Sequence, residues 1–146
     1  MQKKGRELTT DDEIRELLRQ TQTIAVLGIK PETHAMQPAF YVPKYMQDAG
    51  YKIIPVPVYY PEVTEILGEP VFRDLRTIAG EVDMVNVFRR PADIDKHIEE
   101  IIAAKPKSVW FQLGIRNEGA AKAFIEAGID VVQDRCLLVE HRALLR

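Results

Sequence analysis

The sequence predicts an α/β domain, a mostly parallel sheet of about five strands with helices on both faces. Three observations predict it. Short runs rich in branched apolar residues alternate with segments of helical period, as successive βαβ units require. Those runs are apolar at consecutive rather than alternate positions, so both faces of each strand are covered. The chain has 146 residues, 46% hydrophobic and 29% charged, which is the size and mix of one globular domain. A single domain over 1–146 is expected, with 1–8 as a flexible N-terminal segment.

The elements follow in order. Thr9 and Thr10 are hydroxyl caps ahead of Asp11-Asp12-Glu13, and Ile14, Leu17 and Leu18 share one face, so a short helix ends near Gln20. Thr23-Ile24-Ala25-Val26-Leu27-Gly28 is too short for a buried helix and reads as a central strand stopped by glycine. A polar loop from Lys30 to Gln37 leads to Pro38, which can open a helix over 38–49, and Gly50 closes it. Pro43 lies inside that helix and predicts a kink or a late start. Residues 51–56 form the second strand. A polar linker runs to about Gly68, with a weak strand or turn at Val71-Phe72 and a short helix suggested by Leu75, Ile78 and Ala79.

Residues 82–88 form the next strand. Pro91-Ala92-Asp93 opens a helix with Ile94, His97, Ile98, Ile101 and Ile102 on one face, ended by Lys105-Pro106. Residues 108–113 are a strand stopped by Gly114, 117–127 an alanine-rich helix closed by Gly128, 129–132 the last strand and 137–145 a terminal helix. Right-handed crossovers turn this string into a Rossmann-like doubly wound domain. Ligands in such domains bind beyond the carboxyl ends of the strands. The informative segments are therefore 28–38, 55–60, 88–91, 112–117 and 133–136.

Composition removes several function classes. Lys and Arg total 20 against 22 Asp and Glu, a net charge of −2, which argues against a nucleic-acid partner. Cys136 is the only cysteine, so an internal disulfide and a cysteine-based zinc site are excluded. His34, His97 and His141 lie far apart, without metal-ligand spacing. No apolar run reaches the roughly 18 residues of a membrane span. The first residues, Met1-Gln2-Lys3-Lys4-Gly5-Arg6, carry no apolar signal segment, so a cytoplasmic location is expected.

The strand ends supply the candidate binding residues. The first loop offers Gly28, Ile29, Lys30 and His34. It has one glycine where a full dinucleotide fingerprint has three. Gly28 either lets a ligand approach the backbone or merely ends a strand, and the following helix has free N–H groups for a phosphate. Pro55-Val56-Pro57 ends the second strand without the acid that holds the ribose in NAD domains, which counts against NAD.

Phe88-Arg89-Arg90-Pro91 puts two phosphate-binding forks at a strand end, before an expected helix start, with Phe88 and Pro91 as an apolar wall. The alternative is a solvated arginine pair over a core phenylalanine. At the next strand end, Gln112 either offers its amide to a ligand or satisfies a buried backbone group, with Trp110 as core and Gly114 as the stop. Cys136 reads as a small packed residue, and His34 as the one histidine placed for an anionic ligand.

In their order and spacing, several of these segments resemble the stand-alone CoA-binding proteins related to the CoA-binding domain of the succinyl-CoA synthetase α subunit. They are 23–28, Tyr41-Val42-Pro43, 50–56, Val87-Phe88-Arg89, 110–116 and 134–141. The resemblance covers the chain from about Glu13 to Leu145. It implies a strand-end cleft that takes coenzyme A, with the Gly28 loop facing the pyrophosphate. Pro55 and Val56, Phe88 to Pro91, and Gln112 to Gly114 would surround the nucleotide. The chain departs from the family pattern at three places. Ile29-Lys30 follows Gly28 in place of a small polar turn. Gln37 stands where an arginine often precedes the proline. Pro57-Val58 replaces the usual Asn-Pro after the second strand.

The leading functional reading is a CoA or acyl-CoA binding protein without evident catalytic machinery. Synthetase chemistry of the related enzymes needs a phosphorylated histidine loop and a separate nucleotide domain, and this chain is too short for both. The alternative is an NAD(P)-binding or interaction domain that keeps the fold but not CoA. On the leading reading Arg89 dominates the phosphate contact. Its removal is expected to weaken CoA at least tenfold and to leave the unliganded protein's melting temperature nearly unchanged.

Overall fold

The computed structural model describes residues 3–145. Five parallel strands form one sheet: β1 (Thr23–Leu27), β2 (Lys52–Val56), β5 (Met84–Val87), β6 (Ser108–Phe111) and β7 (Asp130–Val132). Their spatial order is β2-β1-β5-β6-β7. Two short strands, β3 (Glu65–Ile66) and β4 (Glu69–Pro70), make a separate antiparallel hairpin. The helices are α1 (Asp11–Gln20), α2 (Pro38–Asp48), α3 (Ile98–Ala104), α4 (Glu118–Glu126) and α5 (Leu137–Leu145). The doubly wound α/β class expected from the sequence is the observed one.

Alternation along the strands feeds two cores. Ala25, Leu27, Val85, Val87, Val109, Phe111 and Val131 face a cluster containing Ile101 of α3 and Phe124 of α4. Ile24, Val26, Met84, Trp110 and Val132 face the opposite cluster with Ile14 and Leu18 of α1, Met46 of α2 and Leu137 of α5. α1 starts on a reciprocal capping box. Thr10 Oγ1 accepts the Glu13 N–H at 3.2 Å and Glu13 Oε1 accepts the Thr10 N–H at 3.1 Å.

Five local expectations change. α2 begins at Pro38 and spans Pro43, so there is no late start. Pro43 has no N–H to give the Ala39 carbonyl, and that carbonyl instead accepts the Lys30 N–H at 3.1 Å. The linker holds the β3–β4 hairpin, and Val71-Phe72 is not a strand. Leu67 and Gly68 both take positive φ, 55° and 75°, the backbone of a tight hairpin turn that Leu-Gly does not announce.

The short helix expected near Leu75 is a single 3-10 turn, Leu75–Thr77. The helix expected from Pro91 is two 3-10 turns, Pro91–Asp93 and Asp95–His97, before α3 starts at Ile98. In the segment 1–8, residues 1–2 lie outside the described residues. Gly5 N–H bonds Ile125 O of α4 at 2.9 Å, and from Arg6 the chain follows β7: Arg6 O accepts the Val131 N–H at 2.9 Å, Leu8 N–H bonds Val131 O at 2.8 Å, and Leu8 is buried.

Candidate functional site

The sheet reverses its winding between β1 and β5, and at that point the strands' carboxyl ends open a cleft of about 420 Å³. Of the residues singled out in the sequence, Gly28, Lys30, Phe88, Arg89, Arg90, Pro91, Gln112 and Gly114 line it. Pro38 and Ala39 of α2 line it too, so the helix N-terminus beside the cleft is that of α2. Gln37, the residue before that helix, makes no side-chain cap bond. The expected helix terminus at Pro91 is absent. The turns there are 3-10, and their first N–H bond is the local one from Asp93 to Arg90 O at 2.9 Å.

Gly28 has φ +89°, and a Cβ there would lie 2.3 Å from the Phe88 carbonyl oxygen. Its N–H bonds Val56 O at 2.9 Å, while the Phe88 N–H bonds Leu27 O at 2.9 Å. Three strand ends therefore converge on this one residue, and only glycine fits. Lys30 reaches the rim and its Nζ donates to Gln37 Oε1. This links the two positions at which the chain departs from the family pattern in the first loop.

The two arginines diverge. Arg90 is 82% exposed in its side chain and pairs with Asp93 at 2.8 Å. The Arg90 hydrogen bond holds the Asp93 carboxyl below its usual range. Arg89 is only 8% exposed. Its Nε–H donates to His97 Nε2 at 3.2 Å, and Nη1 lies 3.5 Å from the Tyr59 hydroxyl. An arginine Nε–H can only donate, so His97 Nε2 accepts and its proton sits on Nδ1. Nδ1 in turn donates to Glu100 Oε1 at 2.5 Å, and Glu100 Oε2 accepts the Leu75 N–H at 2.9 Å. The buried guanidinium is thus balanced by a carboxylate one imidazole away. An unchanged melting temperature on removing Arg89 is therefore no longer expected, because the side chain is part of a buried polar chain.

The remaining sequence candidates lie outside the cleft lining. Ile29 is fully buried among the α1 and α2 core residues. Pro55, Val56 and Pro57 are buried. His34 sits on the 3-10 turn Glu32–His34, with Nε2 3.4 Å from the Tyr60 hydroxyl and Nδ1 3.0 Å from Thr33 Oγ1. Trp110 is core, and its Nε1–H donates to Arg135 O at 2.8 Å. Among the described residues no group of three or more His, Cys, Asp or Glu could hold a metal ion. No described helix is long and apolar enough to cross a membrane.

A family model described as a CoA binding domain matches residues 22–142. The chain belongs to the CoA-binding domain family. It is 38% identical over 129 residues to the uncharacterized protein YneT of Bacillus subtilis strain 168, covering 88% of this chain and 92% of that one. Among solved structures it is similar to the cell-free ID.343 protein of Thermus thermophilus. That match has 42% identity and a TM-score of 0.85, and covers 94% of this chain and all of that one. It is similar also to a hypothetical protein of Pyrococcus horikoshii OT3, with 33% identity, a TM-score of 0.85 and 94% of each chain covered.

Two features of this CoA-binding domain fall in segments that the strand-end rule marks, 55–60 and 133–136, yet were not among the candidate binding residues. Tyr59, largely exposed, lies with its ring centroid 5.6 Å from the Arg89 guanidinium carbon, which makes it a neighbour of the cleft. Its signal was an aromatic pair, Tyr59-Tyr60, within the segment after β2, and no charge or glycine drew attention to it. The second is an adjoining cleft of about 440 Å³ that includes Arg135, Cys136 and Val139 and shares the exposed Leu113 with the first. A larger hollow of about 700 Å³ lies at the strands' amino ends, among Leu18, Tyr51 and His141. The strand-end rule favours the smaller cleft, where backbone, helix terminus and cations converge.

Proposed function

We propose that this chain binds coenzyme A or an acyl-CoA in the cleft between Gly28 and Gln112, as a cytoplasmic binding protein without catalytic machinery of its own. One observation carries the reading: Lys30, Arg89 and Arg90 surround a strand-end cleft that also receives the N-terminus of α2. That arrangement suits a ligand with several phosphates on a flat nucleotide. A net charge of −2 is compatible with it, because the local potential at the cleft decides. Membership of the CoA-binding domain family supports CoA as the nucleotide. The residues following β2, Pro57-Val58-Tyr59, include no acid for a ribose diol, which disfavours NAD.

Calorimetric titration with CoA and with NAD tests the reading, alongside native mass spectrometry of the purified protein. CoA is expected to bind with one-to-one stoichiometry and more tightly than NAD. Tighter binding of NAD would overturn it.

A further inference from the structure

Gln112 is 4% exposed, yet it lines the cleft. Its amide orientation is set by backbone groups. The Leu137 N–H, at the start of α5, can only donate, so the atom 3.4 Å from it is the acceptor Oε1. Asn86 Nδ2 also donates to Oε1, at 3.3 Å, while bonding the Trp110 carbonyl at 3.3 Å, which fixes the Asn86 amide in turn. With Oε1 taken twice, Nε2 is turned the other way.

Nε2 has no hydrogen-bond partner among the described residues. Among the described residues the side-chain atoms both unpartnered and sealed from solvent are Asn86 Oδ1 and Ser108 Oγ, so Nε2 keeps contact with solvent, and the cleft that Gln112 lines is where that contact lies. A held donor of this kind selects a ligand acceptor and rejects a donor, because a mismatch leaves a buried N–H unpaired.

The position indicates which part of the ligand it meets. The cleft's cations lie on the 28–39 and 88–91 segments, whereas Leu113 and Ile115 beyond Gln112 are apolar and lead toward the adjoining cleft, where Cys136 and Val139 lie among charges already paired within the protein, Arg135 with Glu140 and Arg116 with Glu118. A ligand with phosphates at one end and a long, mostly apolar amide-containing arm at the other fits that gradient. Resting on the CoA reading above, we propose that Gln112 Nε2 meets not the nucleotide, where the family resemblance puts it, but the pantetheine arm, as a specificity-determining donor to an amide carbonyl oxygen. The arm would then run over Leu113.

The substitution Gln112→Glu keeps an Oε1 acceptor for Asn86 and Leu137 and replaces the donor by oxygen. Two ligands are compared, CoA and its nucleotide half, adenosine 3′-phosphate 5′-diphosphate, which retains the three phosphates and lacks the arm. The variant is expected to bind CoA at least tenfold more weakly than the parent and the nucleotide half equally well. In the parent protein, the Gln112 side-chain amide resonances in a nitrogen–proton correlation spectrum are expected to shift with CoA and not with the nucleotide half. That second measurement decides the matter if the variant does not fold.

Unchanged CoA affinity, equal weakening of both ligands, or an equal shift of the amide resonances by both would overturn the role of Gln112. In each of those cases CoA binding by the parent would still stand. A parent protein that binds neither ligand would instead remove the CoA reading and this proposal with it.

Discussion

Arg89 is bound to His97 through a 3.2 Å hydrogen bond from Nε–H to Nε2, and both side chains are buried. A residue placed at a ligand-binding strand end is therefore also a structural member of the domain. Glu100, on the far side of the imidazole, anchors the Leu75 N–H, so the chain of bonds reaches the turn following the β3–β4 hairpin.

Arg89→Ala is expected to weaken CoA at least tenfold and also to destabilise the unliganded protein. Breaking one member of a buried polar network costs about 1–3 kcal/mol, or several degrees of Tm in a domain of this size. Arg90→Ala, at an exposed pair, is expected to leave the Tm within about a degree and to weaken CoA less. Calorimetry and thermal unfolding of the two variants check both halves. Equal Tm values for Arg89→Ala and the parent would contradict the buried chain.

The Tyr59 phenol is held below its ordinary pKa of 10.0, first by its hydrogen bond with Arg89 and then by the guanidinium's charge. Its deprotonation in the parent protein is expected at lower pH than in Arg89→Ala. Ultraviolet difference titration, with Tyr59→Phe identifying the signal, measures it. The same titration curve in parent and variant would show that the two side chains do not meet.

Gly28→Ala is expected to destabilise the protein by more than the roughly 1–2 kcal/mol of a left-handed backbone, since its Cβ must also displace the Phe88 carbonyl. Gly114→Ala is the control. Its φ is +84°, but nothing lies within 4 Å of the added Cβ, so only the backbone strain applies. Denaturant unfolding of both variants should rank Gly28→Ala as the less stable by a clear margin.

Asp83 ties the start of β1 to β5, accepting the Gln22 N–H at 2.9 Å and the Thr23 N–H at 3.0 Å. Burial raises its pKa, but those two backbone bonds and Lys107 outweigh burial and leave it below 3.8. A carboxyl with a depressed folded pKa stabilises the protein above its unfolded pKa, and the stabilisation fades as pH falls through the folded value. Stability is therefore expected to drop below about pH 4, and the drop should be shallower in Asp83→Asn. Urea unfolding of both proteins between pH 2 and pH 6 checks it.

Much of this protein was legible in the chain itself. The doubly apolar strands, the hydroxyl caps at Thr9 and Thr10, the glycine stops at 28, 50, 114 and 128, and the strand-end rule together located the first helix, the sheet and eight of the cleft's lining residues. These are local signals, written in periodicity and in backbone chemistry that neighbouring residues determine. The positions that the sequence placed poorly depend on distant partners. The β3–β4 hairpin turns on a leucine in left-handed backbone, and α2 runs through Pro43 because Lys30, thirteen residues earlier, supplies the N–H for Ala39 that the helix lacks.

The same division holds for the site. The sequence by itself determined that two arginines and a glutamine stand at strand ends. Only the tertiary structure decided that Arg89 is buried against His97 and Arg90 is not, that His34 turns to Tyr60, and that Leu137 and Asn86 both claim the oxygen of the Gln112 amide. Adjacent residues on an irregular turn have no fixed period to separate inside from outside. Which side chain is buried there is settled by the hydrogen-bond partners that packing brings within reach.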